Sequence, residues 1–310
     1  MTKADILIIG AGPSACSAAL YTLRAGLSTL MFGGPVAGGQ LLQTNDIENY
    51  PGFENPVSGF ELMDAMHKQC KRLGAKILSE TVQSIQNAKS PFVLKTQSGA
   101  EYQGTAIIIA TGSRARWLGL AEEYKFRSKG VSACATCDGF FFKGKTVAVV
   151  GGGNTAFEDA LFLTNFCPKV YLIHRRDAFR ADQTTVEKAK ANPKIEFVLS
   201  SVVSALKGDK EGLLSGLSVK NVNDGALKDI EVQGVFVAIG AAPHTEFLKN
   251  SPVELLPSGC VKVNAECKTS VEGVFAAGDC TEEVFRQAIV AAGSGAKAGI
   301  SAISFCNLHK

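Results

Sequence analysis

The sequence has no second close pair of metal ligands beside its one Cys-x-x-C, no block of five basic residues, and no apolar run of roughly 18 residues. Each absence excludes a class. Without that second pair, the cysteines do not read as a structural zinc site, and no metal is expected. A net charge of +3 with no basic block argues against nucleic-acid binding. The missing apolar run argues against a membrane span, and Met1-Thr2-Lys3 leads at once into a strand the fold needs, so no signal peptide is expected. Nine cysteines, an odd number without a disulfide framework, fit a reducing cytosol, so a cytoplasmic location is expected. Of these, Cys16, Cys70, Cys167, Cys260, Cys267, Cys280 and Cys306 have no close partner in sequence and read as small buried hydrophobes.

What is present is ordinary globular material with unusual punctuation. At 310 residues, two domains are the prior, and 46% hydrophobic with 20% charged residues is a normal balance. The 32 glycines are many for this length, and strand-to-helix turns, where backbone must approach phosphate closely, are where they are expected. The remaining cysteines form Cys134-Ala135-Thr136-Cys137-Asp138-Gly139. A C-x-x-C can close a small disulfide or be attacked as one, and the adjoining acid can shuttle the proton that thiol exchange needs.

Two glycine fingerprints flank this dithiol. Asp5 to Ile9 reads as a strand, apolar without a break from Ile6, followed by Gly10-Ala11-Gly12-Pro13-Ser14-Ala15 and a helical pattern to Ala25. Strand, tight turn and helix together are the dinucleotide-binding context. Gly10 allows the turn, Gly12 lets backbone meet a pyrophosphate, and Ala15 lets the helix pack close to the sheet. The helix start offers amides and partial positive charge to phosphate. Thr146 to Val150, followed by Gly151-Gly152-Gly153-Asn154-Thr155-Ala156, repeats the design. Each half also has a later apolar strand ending at glycine, Ala106 to Gly112 and Val235 to Gly240. Buried parallel strands alone would account for those strands but not for two glycine triplets at one spacing.

The residues about 20 positions beyond each fingerprint separate the nucleotides. After the second stand His174-Arg175-Arg176-Asp177-Ala178-Phe179-Arg180, with three arginines and no acid before Asp177, which points to NADPH. After the first stand Met31-Phe32-Gly33-Gly34, with neither acid nor base, so by elimination that unit takes FAD. Asp279 closes a third strand, Gly273 to Asp279, and is a candidate for the ribityl chain; a helix starting near Gln287 could present amides to the flavin N1 edge. The second unit is therefore inserted into the first: residues 1–112 and 242–310 form the FAD domain, and 113–241 form the NADPH domain with the dithiol. Two short crossings near Gly112 and Gly240 suit a hinge.

With these residues in hand, the chain resembles the low-molecular-weight thioredoxin reductases nearly end to end. Gly38-Gly39-Gln40, Glu48-Asn49-Tyr50-Pro51-Gly52, Ala110-Thr111-Gly112, Cys134 to Gly139, His174-Arg175-Arg176 and Gly278-Asp279 stand where that family has them. The resemblance implies an α/β fold of two Rossmann-like domains, the second inserted in the first. It implies FAD near Gly10, Gly12, Pro13, Ser14, Ala15, Gly39, Gln40, Asn49, Thr111, Gly112, Asp279, Arg286, Gln287 and Ala288. NADPH would lie at Gly151, Gly153, Asn154, Thr155 and Ala156, with His174, Arg175, Arg176 and Arg180. It also implies a homodimer that passes electrons from NADPH through FAD and Cys134/Cys137 to thioredoxin. Cys137 would face the flavin, Cys134 would exchange with the protein substrate, and Asp138 would act as acid and base. The NADPH domain would rotate between two states, with Phe140-Phe141-Phe142 either a docking patch or core.

Three departures from this reading stay open on the residues. The partner could be another thioredoxin-like protein or a peroxidase component, although no fused thioredoxin-like domain is expected. A flavin-dependent dithiol oxidase is the second, and the arginine-rich turn counts against it. The third is a nucleotide-binding redox sensor, for which the sequence offers no effector surface. Cys280 beside Asp279 reads as inert packing, and Asp138 could be a helix cap instead of an acid.

Overall fold

The computed structural model describes residues 1–44, 47–281 and 285–309. It divides into two compact units, Met1–Arg114 with Ala242–Lys310, and Ala115–Ala241.

The first unit begins with β1 (Thr2–Ile9), a strand whose side chains alternate between two apolar layers. Ile6 and Ile8 join one core with Ala15, Ala18, Ala298 and Ala302; Leu7 and Ile9 join another with Leu94, Ile107 and Val274. Burial on both faces explains why the strand reads as one apolar run. After the glycine turn come α1 (Pro13–Arg24), β2 (Thr29–Phe32), α2 (Gly59–Arg72), β3 (Lys76–Leu78), β4 (Val82–Ile85), β5 (Phe92–Thr96) and β6 (Glu101–Ile109). The sheet order is β3-β2-β1-β6-β5-β4, with β1, β2, β3 and β6 parallel, and β5 and β4 antiparallel. Chain crosses to the second unit in β7 (Ser113–Ala115).

In the second unit, α3 (Glu123–Phe126) precedes β8 (Val131–Ser132), α4 (Ala135–Asp138) and β9 (Thr146–Val150). Then follow α5 (Asn154–Leu163), β10 (Lys169–Ile173), α6 (Gln183–Ala191), β11 (Ile195–Val198), β12 (Ser201–Gly208), β13 (Leu214–Asn221), β14 (Leu227–Ile230) and β15 (Gly234–Val237). The parallel sheet β11-β10-β9-β15-β8 is the second doubly wound layer, and β12-β13-β14 form an antiparallel sheet. Val147 and Val149 of β9 face α5, while Ala148 and Val150 face Leu217 and Val219 of β13. Chain returns in β16 (Ala241–Pro243), which pairs with β7.

Back in the first unit, β17 (Val274–Ala276) joins β6 in parallel, and α7 (Ala288–Leu308) closes the chain. Although no unbroken apolar run exists, α7 is long and apolar enough to cross a membrane by length and composition, with mean hydropathy 1.4. Ser294, Lys297 and Ser301 interrupt it in sequence, and 44% of that window is buried inside the protein. It is a core helix packed on α1. The packing needs small residues: a Cβ at Gly295 would stand 2.1 Å from the Ser14 carbonyl oxygen, and one at Gly299 2.9 Å from that of Ala18. Gly295→Ala must push α7 off the start of α1, so we expect a loss of about 1–3 kcal/mol from overpacking. Thermal denaturation should register it, and an unchanged midpoint would mean that the two helices slide apart freely.

Candidate active site

The dithiol sits at a strand-to-helix turn. Strand β8 ends at Ser132, Cys134 is the N-cap of α4, and Cys137 follows one turn later. Residues three apart on a helical turn share a face, so the two sulfurs meet, and they form a disulfide. Ala135, 1% exposed, anchors the turn in the core beside Phe157 and Leu163. A Cβ at Gly139 would stand 3.0 Å from the Leu163 side chain, a tight fit against the core. The Cys134 sulfur lies 3.4 Å from the Thr136 hydroxyl.

Asp138 ends α4, and no side-chain bond from it caps the following 3-10 turn Gly139–Phe142. The capping role considered from the sequence is not built. Instead its Oδ2 accepts from the Ser132 hydroxyl at 2.5 Å, and the same hydroxyl oxygen accepts from the Cys134 amide at 3.0 Å. The three phenylalanines divide between the two expected roles. Phe142 packs edge-on against Phe236 at 5.2 Å, whereas Phe140 and Phe141 remain 56% and 43% exposed.

In the first unit, the residues expected around one nucleotide converge on the carboxyl ends of β1, β6 and β17. Gly10, with φ of 129°, makes the turn, and any Cβ would strike the Ala110 carbonyl oxygen at 2.1 Å. Gly12 is bare: the nearest atom to a Cβ would be the Gly38 carbonyl oxygen, 4.0 Å away. Pro13, Ser14 and Ala15 form the first turn of α1, and Ser14 Oγ is buried without a hydrogen-bond partner. An orphaned hydroxyl at a helix start beside an open glycine fits a phosphate group. Gln40 Nε2 donates to the Ser113 carbonyl, and Ser113 Oγ donates to Asp279 Oδ2 at 3.4 Å. Asn49 Nδ2 donates to Gln287 Oε1 at 3.1 Å, and Gln287 is the N-cap of α7, which starts at Ala288. Thr111 and Gly112 follow β6, Gly39 opens a 3-10 turn, and Arg286 is exposed next to Gln287. Cys280 is fully buried, its sulfur donating to the Ile109 and Ala277 carbonyls, and burial pushes its thiol up to about 11. That is inert packing.

In the second unit, Gly151 could carry no side chain, since a Cβ would stand 2.4 Å from the Ala238 carbonyl oxygen and 2.7 Å from the Ala156 Cβ. Gly153 faces open space and is the N-cap of α5, whose first residues are Asn154, Thr155 and Ala156. Asn154 and Asp182 exchange two hydrogen bonds of 2.8 Å, and the Arg180 amide donates to the Gly152 carbonyl at 2.9 Å. These three bonds fold the basic turn back onto the glycine loop. Burial first, then the charges of Arg175, Arg176 and Arg180, hold His174 below the usual imidazole range. All three arginines are exposed.

Three residues of these sites carry no motif. Ser132, Ser113 and His67, whose Nε2 donates to the Ala11 carbonyl at 2.8 Å, are brought in from neighbouring elements. No spacing in the sequence marks them.

A disulfide at a helix start on one doubly wound unit, and an open phosphate-fitting glycine turn on another, define a nucleotide-dependent disulfide oxidoreductase. Residues 4–295 match the family described as pyridine nucleotide-disulphide oxidoreductase. A thioredoxin reductase of Rickettsia conorii is 45% identical over 97% of this chain and 98% of its own. One of Streptomyces coelicolor is 45% identical over 97% and 93%. The solved thioredoxin reductase from Giardia duodenalis superposes with a TM-score of 0.93 at 39% identity, covering 99% of this chain and 100% of that one. The chain belongs to the pyridine nucleotide-disulphide oxidoreductase family and, within it, to the thioredoxin reductases. It is an oxidoreductase, a flavoprotein disulfide reductase that uses FAD and NADPH.

Proposed function

We propose that this chain reduces thioredoxin with electrons from NADPH, carried through FAD and the Cys134–Cys137 pair, as a homodimer in the cytoplasm. The observation that carries the reading is the C-x-x-C disulfide at the start of α4, with the Asp138 carboxylate tied to it through Ser132. Relatives named thioredoxin reductase over nearly their whole length support the choice of partner.

In this reading, residues 1–112 and 242–310 hold FAD. Gly10, Gly12 and the first turn of α1 take its pyrophosphate, and Gln40, Asn49, Thr111, Gly112, Asp279, Arg286, Gln287 and Ala288 surround the rest. Residues 113–241 hold NADPH at Gly151 to Ala156, with His174 and the three arginines at the 2′-phosphate. Bound FAD supplies two-electron exchange between nicotinamide and sulfur, chemistry that no side chain offers. The chain's own residues do the rest: Cys134 and Cys137 carry the electrons as a dithiol, and Asp138 moves protons at sulfur. Phe140 and Phe141 offer an exposed apolar patch beside the dithiol for the partner. The first unit leaves Tyr21, Phe60 and Ile300 exposed, available to a second copy. Seven buried cysteines outside the active pair suit a reducing compartment.

The test is NADPH consumption by the purified yellow protein, with and without thioredoxin from the same organism. Turnover that needs thioredoxin supports the reading. Turnover that needs only oxygen would make the chain a dithiol oxidase, and a requirement for a different disulfide protein would change the partner. Sedimentation at micromolar concentration tests the dimer, which a monomer mass would rule out.

A separate prediction concerns nucleotide choice. Arg175 and Arg176, each giving charge-assisted bonds worth about 1.5–3 kcal/mol, should set the preference for NADPH. Neutral replacements at both should raise the KM for NADPH by about 10²-fold or more. NADH use should hardly change. A parallel loss with both nucleotides would make the arginines structural.

A further inference from the structure

Ser132 is the last residue of β8, 8% exposed and fixed by pairing opposite Phe236 of β15. Its hydroxyl has one proton to give and two lone pairs to offer. Three groups lie within reach: Asp138 Oδ2 at 2.5 Å, the Cys134 amide at 3.0 Å and the Cys134 carbonyl oxygen at 3.4 Å. The amide can only donate, so it takes a lone pair. The proton goes to the nearer and stronger acceptor, the carboxylate. One side chain on a strand end therefore spans the N-cap and the last residue of the dithiol helix.

We infer that Ser132 is a positioning residue for thiol–disulfide exchange, holding the Asp138 carboxylate in register with Cys134. The inference deepens the reading above and rests on it for the role of Asp138. In the exchange, the Cys134 thiolate attacks one sulfur of the substrate disulfide; a mixed disulfide forms and the substrate bond breaks. Cys137 then attacks the Cys134 sulfur, the Cys134–Cys137 bond re-forms, and the second substrate sulfur leaves. Two electrons pass from the dithiol to the substrate, and the two protons of the dithiol end on the two leaving sulfurs. Asp138 is the relay for those protons. With Oδ2 held by Ser132, its carboxylate follows Cys134 and does not swing with its own side-chain torsions.

The experiment is a double-mutant cycle on the holoenzyme, reduced by NADPH and mixed in single turnover with thioredoxin or with a peptide closed by an aliphatic cystine. Ser132→Ala should slow exchange with either disulfide by about 10–10²-fold. Ser132→Thr, which keeps the hydroxyl, should recover most of the rate. In an Asp138→Asn background, Ser132→Ala should add little, because the two act as one unit. Flavin reduction by NADPH, followed in the same samples, should stay at the wild-type rate and so report intact folding. A wild-type exchange rate in Ser132→Ala, or the same slowing in both backgrounds, would overturn the inference. A wild-type enzyme that reduces the peptide and not thioredoxin would sink the choice of partner while the cycle still reads Ser132.

Discussion

Cys134→Ser and Cys137→Ser should each lose thioredoxin reduction by about 10⁴-fold or more, as removal of a covalent nucleophile does, while still accepting electrons from NADPH. The expectation follows from the one disulfide in the structure, since a relay ending on sulfur cannot turn over with half of it. The two variants should differ in a way that assigns roles. Cys134→Ser leaves Cys137 as a lone thiolate, and if Cys137 is the sulfur that exchanges with flavin, absorption at long wavelength should appear. Cys137→Ser should lack that absorption yet trap thioredoxin as a mixed disulfide through Cys134. A band in the second variant and not the first would reverse the assignment. Normal turnover in either would move the chemistry off this pair altogether.

The features legible in the sequence are those fixed by local backbone demands or by burial on both strand faces. Gly10 and Gly151 are readable because a Cβ at either would strike a carbonyl oxygen, that of Ala110 at 2.1 Å and that of Ala238 at 2.4 Å. The runs Ile6 to Ile9 of β1 and Val147 to Val150 of β9 are readable because alternate side chains enter two cores, leaving no polar position within the run. The start of β1 was not legible: Thr2 and Lys3 are polar and exposed, and they are strand only because Tyr102 and Gln103 of β6 pair with them. The membrane-length character of α7 was hidden for a related reason, its apolar content being spread among serines and a lysine. The environment of Asp138 was least legible. Its neighbours in the chain suggest a cap, and only the end of β8 decides that its oxygen meets Ser132 instead. Ser113 and His67 follow the same rule, because a contact made across 166 or 56 positions leaves no spacing to read.

Asp138→Asn should slow the thioredoxin half-reaction by roughly 10²–10⁴-fold, the usual contribution of a positioned acid or base, and leave flavin reduction by NADPH unchanged. The structure makes this substitution a clean test. The amide oxygen of asparagine can still accept from the Ser132 hydroxyl, so the link to the Cys134 amide survives. What asparagine cannot do is take up a proton and return it. When the substrate disulfide breaks, the leaving sulfur must acquire a proton, and the reduced pair must surrender two for each substrate molecule. Loss of rate in asparagine therefore reports proton transfer, with the scaffold held constant. A structural carboxylate would behave differently, since asparagine would then serve about as well as aspartate. Stopped-flow measurement of both half-reactions separates the cases: a normal thioredoxin half-reaction in Asp138→Asn would strip Asp138 of its catalytic role, whatever happened at the two cysteines.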